Sequence, residues 1–251
     1  MKQHPTPPEV TAPIVVMLVM LLSGCTESSG GGAHGASAPS SSDVSDAGPV
    51  TQHLAGSSSR LTPGTYQFSV ERAPGTQTPD ALVAVPRGFE DGADWYVVSP
   101  DGDTFLGLWT VGTVQRDACL RPMHDYATPG PAVDDLAEAL AGQQSTRATV
   151  PEPVIVGGHH GLYVELAGPP DLSRCDRNPT LWGPGERGIY GNAQVDRLWI
   201  LDVDGQRLVV DASHGPRSTT SERHKLTAMV DSLEFVPASR GRESPAGTRS
   251  R

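Results

Sequence analysis

The chain has 251 residues and a formal charge of −10, from 29 acidic and 19 basic side chains. Such an acid excess argues against nucleic acid, and no nucleic-acid partner is expected. Gly and Pro are abundant, aromatic side chains are few, and there are only three cysteines, Cys25, Cys119 and Cys175.

The chain opens with Met1 to Pro13, which carries the single lysine Lys2, followed by the apolar run IVVMLVMLL from Ile14 to Leu22. Nine residues rise only about 14 Å as a helix, too little for a hydrocarbon core of roughly 30 Å, so a cleaved export signal is expected and not a membrane span. The boundary Leu22-Ser23-Gly24-Cys25 resembles the bacterial lipobox. That resemblance implies a diacylglyceryl group on the Cys25 sulfur, cleavage before it, and usually a third acyl chain on the new N-terminus. A plain signal peptide with an incidental Cys25 is the simpler alternative. Each buried acyl methylene contributes about 0.8 kcal/mol, so two or three chains anchor stably where one does not. Cleavage would remove Lys2 and Glu9 together and leave the charge at −10.

With Cys25 acylated, Cys119 and Cys175 remain as an even pair on the oxidising side of the membrane, and a disulfide between them is expected. Closing that loop is worth about 4 kcal/mol in the chain-entropy picture. Two buried free thiols are the alternative. The spacing holds no CxxC, which argues against zinc and thioredoxin-type chemistry.

From Thr26 to about Arg60 the sequence is Ser, Gly, Ala and Pro with almost no large apolar side chain, and it reads as a disordered tether. A chain of about 35 such residues reaches on the order of 30 to 35 Å. The expected organisation is therefore a signal peptide over 1–24, an acylated cysteine and tether over 25–60, one domain over 61–236 and a disordered tail over 237–251. The tail carries Arg240, Arg242, Arg249 and Arg251, whose default is a solvated terminus.

Within the domain, TYQFSV (65–70), ALVAV (81–85), WYVVS (95–99) and TFLGLWTV (104–111) read as strands, with Pro100-Asp101-Gly102 as a turn. The period then changes. Val133, Leu136, Ala137 and Leu140 fall at i, i+3, i+4 and i+7 behind two acids, predicting a short amphipathic helix that stops at Gly142. PVIV (153–156) and LYVEL (162–166) predict a hairpin turning over Gly157 to Gly161. Gly168 to about Asn192 reads as a Gly/Pro-rich loop holding Cys175. VDRLWILDVDGQRLVVDA follows as a hairpin around Asp204-Gly205, a dipeptide that favours a tight primed turn. In the last element Thr219 and Glu222 form a capping box, and Leu226, Met229, Val230 and Leu233 line one helix face. Tight turns imply antiparallel pairing, and helices with one apolar face imply packing on the sheet, so the expected class is α+β.

The order of VDDLAEAL, a hairpin through GGHHG, a cysteine loop, VDRLWILDVDGQRLVV and LTAMVDSLEF resembles the actinobacterial lipoproteins of the LpqN type, over about the last 120 residues. The Arg-, Ala- and Gly-rich composition is of the high-GC kind. The resemblance implies a Mog1/PsbP-like fold, a central antiparallel sheet with two flanking helices, and a role in binding or envelope assembly. It transfers no catalytic residue. The long tether and the insertion around Gly183 depart from the pattern.

Candidate chemistry is thin. Two GxGxxG matches occur, at Gly30, Gly32 and Gly35 in the tether and at Gly183, Gly185 and Gly188 beside Pro184, and neither has the strand and helix a pyrophosphate needs. Asp202 and Asp204 stop short of a calcium loop, and His159-His160 lacks the spacing of a metal pair, so no metal or other cofactor is expected. No GxSxG is present, and Asp211 with Ser213-His214 is too contiguous for a convergent triad. Trp182 and Tyr190, in LWGPGERGIYGN near Cys175, are the candidate ligand-binding residues; Trp95, Phe105 and Trp109 read as core. The expectation is a lipid-anchored protein of the extracytoplasmic membrane face with a non-enzymatic binding or scaffolding role toward an envelope protein or small ligand. An envelope hydrolase is the alternative. A deep cleft with inward ionisable residues would favour the hydrolase, and a smooth apolar groove near Trp182 the binder.

Overall fold

The computed structural model describes residues 51–70, 78–120, 125–176, 179–183 and 187–236, all within one compact unit spanning 47–251. The expected export segment, Cys25, most of the expected tether and the arginine-bearing tail lie outside the described residues.

Strands dominate. In chain order they are β1 (Gln52–His53), β2 (Gly64–Phe68), β3 (Asp80–Val85), β4 (Glu90–Ala93), β5 (Tyr96–Val98), β6 (Thr104–Trp109), β7 (Thr113–Gln115) and β8 (Tyr126–Ala127). Helix α1 (Val133–Ala141) leads to β9 (Arg147–Ala148), β10 (Glu152–Val156) and β11 (His159–Ala167). After a 3₁₀ turn at Leu172–Arg174 come β12 (Thr180–Gly183), β13 (Arg187–Gly188), β14 (Val195–Val203), β15 (Gln206–His214), helix α2 (Thr220–Asp231) and β16 (Glu234–Val236). The class is a mixed, α+β-like fold.

An eight-stranded antiparallel sheet runs in the order β10-β11-β14-β15-β6-β5-β4, with β9 also paired to β11. Its middle strands are buried on both faces. In β14, Leu198 and Ile200 join one apolar core with α1, while Trp199, Leu201 and Val203 join another with α2. That is why VDRLWILDV carries large apolar residues at consecutive positions instead of alternating ones. Helix α1 packs on β11 and β14, and α2 packs on β15, β6 and β3. Two smaller sheets complete the layers, β1-β2-β3-β16 and β13-β12-β7-β8.

Local signals account for the turns. Asp204 and Gly205 have φ of 53° and 80°, a primed two-residue turn, and Asp202 Oδ1 accepts from Gly205 N at 2.8 Å. The β10–β11 turn is shorter than expected. Gly157 and Gly158 at φ of 57° and 81° complete it alone, so His159 and His160 belong to β11. Helix α2 begins as expected: Glu222 N donates to Thr219 Oγ1 (3.2 Å), and Thr219 N donates to Glu222 Oε2 (2.7 Å).

The fold starts earlier than the expected boundary at residue 61, and residues 51–60 are not tether. β1 pairs with β2 in parallel and Leu54 is buried. Asp91 then takes three backbone donors, Ala55 N (2.9 Å), Gly56 N (3.0 Å) and Ser57 N (3.2 Å), together with Ser57 Oγ (2.9 Å). A carboxylate 34 to 36 residues away supplies what the Ser-rich composition could not. The expected loop from Gly168 to Asn192 is likewise structured in part, since β12 pairs with β7 and β13.

Cys119 and Cys175 are joined as a disulfide with their Cα atoms 4.4 Å apart. The bridge sits where Asp176 N donates to Cys119 O (2.8 Å) and Thr180 N to Ala118 O (3.0 Å), so it leads the chain into β12.

Candidate functional site

A cleft of about 550 Å³ opens on the face of the large sheet that carries Phe105 and Trp109. Trp95, Tyr96, Phe105, Trp109 and Tyr190 form its walls and Arg187 its floor. The register explains the clustering. On β6, Phe105, Gly107 and Trp109 share one face, and Tyr96 of β5 lies directly across from Gly107. A Cβ at Gly107 would sit 2.6 Å from Phe105 Cζ and 3.2 Å from Tyr96 Cβ, so a larger residue there would push the rings apart. The rings contact one another in series: Tyr96 and Phe105 stack at 5.2 Å, Trp95 meets Tyr96 at 4.4 Å and Trp109 at 4.3 Å.

The other side of β6 pairs with β15, which sets Ser213 opposite Phe105 and Asp211 opposite Gly107; β14 then sets Asp196 opposite Ser213. Asp196, Asp211 and Ser213 thus face the same layer, and Arg187 of β13 reaches down to all three. Arg187 Nε donates to Asp211 Oδ2, while Nη2 donates to Asp196 Oδ1 (2.7 Å) and Ser213 Oγ (2.6 Å). Nη1 donates to Gly188 O (3.0 Å), which leaves one of the five guanidinium N–H groups uncommitted. The Arg187 head lies 4.5 Å from the centroid of Phe105 and 5.7 Å from that of Tyr190. Gln194 completes the frame: its Nε2 donates to both Asp196 oxygens (3.0 and 2.9 Å), and its Oε1 accepts from Tyr190 N (3.0 Å).

This cluster holds two carboxyls and one cation, all out of water. Burial pushes Asp211 up to about 7, against the pull of Arg187 and with the help of neighbouring Asp196. Asp196 is raised as well, by burial, although Arg187 opposes it. Burial alone would lower Arg187, but Asp211 and Asp196 outweigh it and hold the guanidinium charged. The orphaned oxygen, Asp211 Oδ1, is buried without a hydrogen-bond partner.

The two residues expected to bind ligand part company. Tyr190 is 79 % exposed and walls the cleft. Trp182 lies in strand β12, not on a loop, is fully buried, and meets Trp109 edge to face at 5.7 Å. It supports the cleft from behind and offers no surface to a ligand. Trp109 is buried, whereas Trp95 and Phe105 are only partly so and line the cleft.

The contiguous Asp211, Ser213 and His214 form no relay. Ser213 Oγ accepts from Arg187, and the His214 ring lies 3.4 Å from Gly215 O; among the described residues no hydrogen bond links His214 to Ser213 or Asp211. Burial also lowers the pKa of His214. Gly183 and Gly188 are strand residues, and the other glycines of the GxGxxG matches lie outside the described residues. His159 stacks edge to face on Phe235 and His160 is exposed. Among the described residues no three His, Cys, Asp or Glu side chains could hold a metal ion, and no helix is long and apolar enough to cross a membrane.

Sequence reasoning missed the ion cluster. Its one signal was an acid inside VVDA and another opening VDRLW, each out of phase with an apolar run. No protein-family model matches the chain, and no curated protein matches it by sequence.

Proposed function

We propose that the protein is a membrane-anchored, extracytoplasmic lipoprotein of the LpqN type, Mog1/PsbP-like in fold, that binds an uncharged ligand with an apolar face in the aromatic cleft. The lipobox resemblance supports the anchor, and the antiparallel sheet with α1 and α2 on its two faces supports the fold. One observation carries the binding reading: five aromatic side chains surround a cleft whose one deeply buried cation among the described residues, Arg187, is already matched by Asp196 and Asp211. A charged ligand of either sign would meet a like charge in that cluster, so a neutral one is favoured.

The test uses N-phenyl-1-naphthylamine, an uncharged aromatic dye that fluoresces when shielded from water. Saturable binding is expected, and Tyr190→Ala, at an exposed position, should weaken it about tenfold, the loss of one aromatic face. An unchanged affinity in both Tyr190→Ala and Trp95→Ala removes the cleft as the site. Fractionation of Cys25→Ser tests the anchor: it should leave the lipid fraction.

A specific observation favours a second reading, an envelope hydrolase: an inward ionisable cluster does underlie the cleft. Its serine, however, receives a hydrogen bond from an arginine instead of giving its proton to a base. Ester turnover that disappears in Ser213→Ala would establish the hydrolase.

A further inference from the structure

Away from the aromatic cleft, a second hollow of about 880 Å³ lies between the segment before β2, the β3–β4 turn and helix α2. Its floor is apolar: Leu61, Pro63, Pro86, Pro100 and the buried Phe89. Among the described residues its rim carries Arg60, Arg87 and Lys225 and no acid. Three cations around one hollow stand out in a chain of charge −10.

These cations are poorly neutralised. Arg87 is exposed and makes no ion pair among the described residues. Lys225 Nζ donates to Arg87 O at 3.0 Å, a neutral acceptor, which holds the ammonium at the mouth beside Gly88. Arg60 meets Glu90 only at 3.8 Å with its side chain 81 % exposed, a contact that water screens. Two acids, Asp101 and Glu222, line an adjoining hollow beyond Lys225, and both are already engaged. Asp101 accepts from Ser99 Oγ (2.6 Å) and Asp103 N (3.1 Å), and Glu222 serves the α2 cap. Neither closes over Arg87.

We infer that this hollow is a binding site for a single anionic amphiphile, an alkyl chain bearing a carboxylate or phosphate head. The chain would cover Phe89 and the prolines, and the head would meet Arg87 and Lys225. The apolar surface is recessed between loops and does not project, which suits a bound chain and not insertion into a bilayer. The net charge of −10 also opposes docking on an anionic membrane.

Titration calorimetry on the full-length chain carrying Cys25→Ser, with decanoate, decyl phosphate, decanol and decyltrimethylammonium below their micellar concentrations, tests the inference. Both anions should bind saturably and about tenfold or more tighter than decanol, the value of one charge-assisted contact. Arg87→Gln and Lys225→Gln should each weaken the anions by about the same factor and leave decanol unchanged. Arg87 is exposed, so its variant retains the native circular dichroism. Decanoate should not displace N-phenyl-1-naphthylamine from the aromatic cleft. Equal affinity for decanol and decanoate, displacement of the cleft dye, or binding to phosphatidylglycerol vesicles without binding to the monomers would each overturn the assignment.

Discussion

Arg187 and Asp211 form an ion pair whose side chains are 2 % and 0 % exposed, at the junction of strand β13 with the large sheet. The pair fastens β13, and with it the Tyr190 that follows, against the aromatic cleft.

Removing the cation should therefore be costly. Arg187→Met would strand two carboxyls in a dry layer, and an unfolding midpoint in urea should report a loss of about 3 to 5 kcal/mol. Arg187→Lys should recover little of it, because a point ammonium cannot serve Asp211 through one nitrogen and Asp196 with Ser213 through another. Equal stability of the Met variant and wild type would contradict the assigned role of the pair.

The pH dependence of stability follows from the same carboxyl. Asp211 is raised to about 7 in the fold, chiefly by burial, from an ordinary carboxylate value of 3.8. Burial thus shifts the balance, against the pull of Arg187, toward the protonated form. Its contribution is fully present below pH 3.8 and is lost as pH rises through about 7. Asp211→Asn keeps the group neutral, so its stability should fall less than that of wild type between pH 5 and 8, as read by thermal unfolding (about three pH units).

Asp91 has the opposite linkage. Burial opposes its ionised form, but the hydrogen bonds from Ala55, Ser57 and Gly56 outweigh that and lower its pKa. Its contribution is present above the ordinary carboxylate range and is lost as pH falls through the lowered value. Asp91→Ala should cost about 1 to 3 kcal/mol by leaving backbone donors unmatched. Hydrogen exchange should then quicken at residues 55–57 while the strands of the large sheet keep their protection.

Reducing the Cys119–Cys175 bridge, which closes a separation of 56 residues, should lower stability by about 4 kcal/mol if the open chain is otherwise unstructured. Chemical unfolding with and without dithiothreitol measures it, and thiol titration of the denatured, unreduced chain should find neither cysteine free.

Much of the backbone was legible from local pattern. The Asp204-Gly205 turn, the Thr219 cap and the stripe of Leu136, Ala137 and Leu140 each depend on residues within one turn or one helical repeat, so their physics is contained in a short window. The start of the fold was not, because β1 is held by pairing with β2 and residues 55–57 by Asp91, both distant in sequence. Trp182 read as a candidate ligand-binding residue among its glycines for a related reason: its burial comes from β7 and Trp109, which composition does not reveal.

By itself the sequence determined the periodicities, the turns, the pairing-competent cysteines and the lipobox resemblance, since each rests on neighbours along the chain. Only the tertiary structure decided that Arg187, Asp196, Asp211 and Ser213 would meet under five aromatic rings. Three strands must align in register before those charges approach, and their energy arises from the exclusion of water, which no short segment can achieve alone.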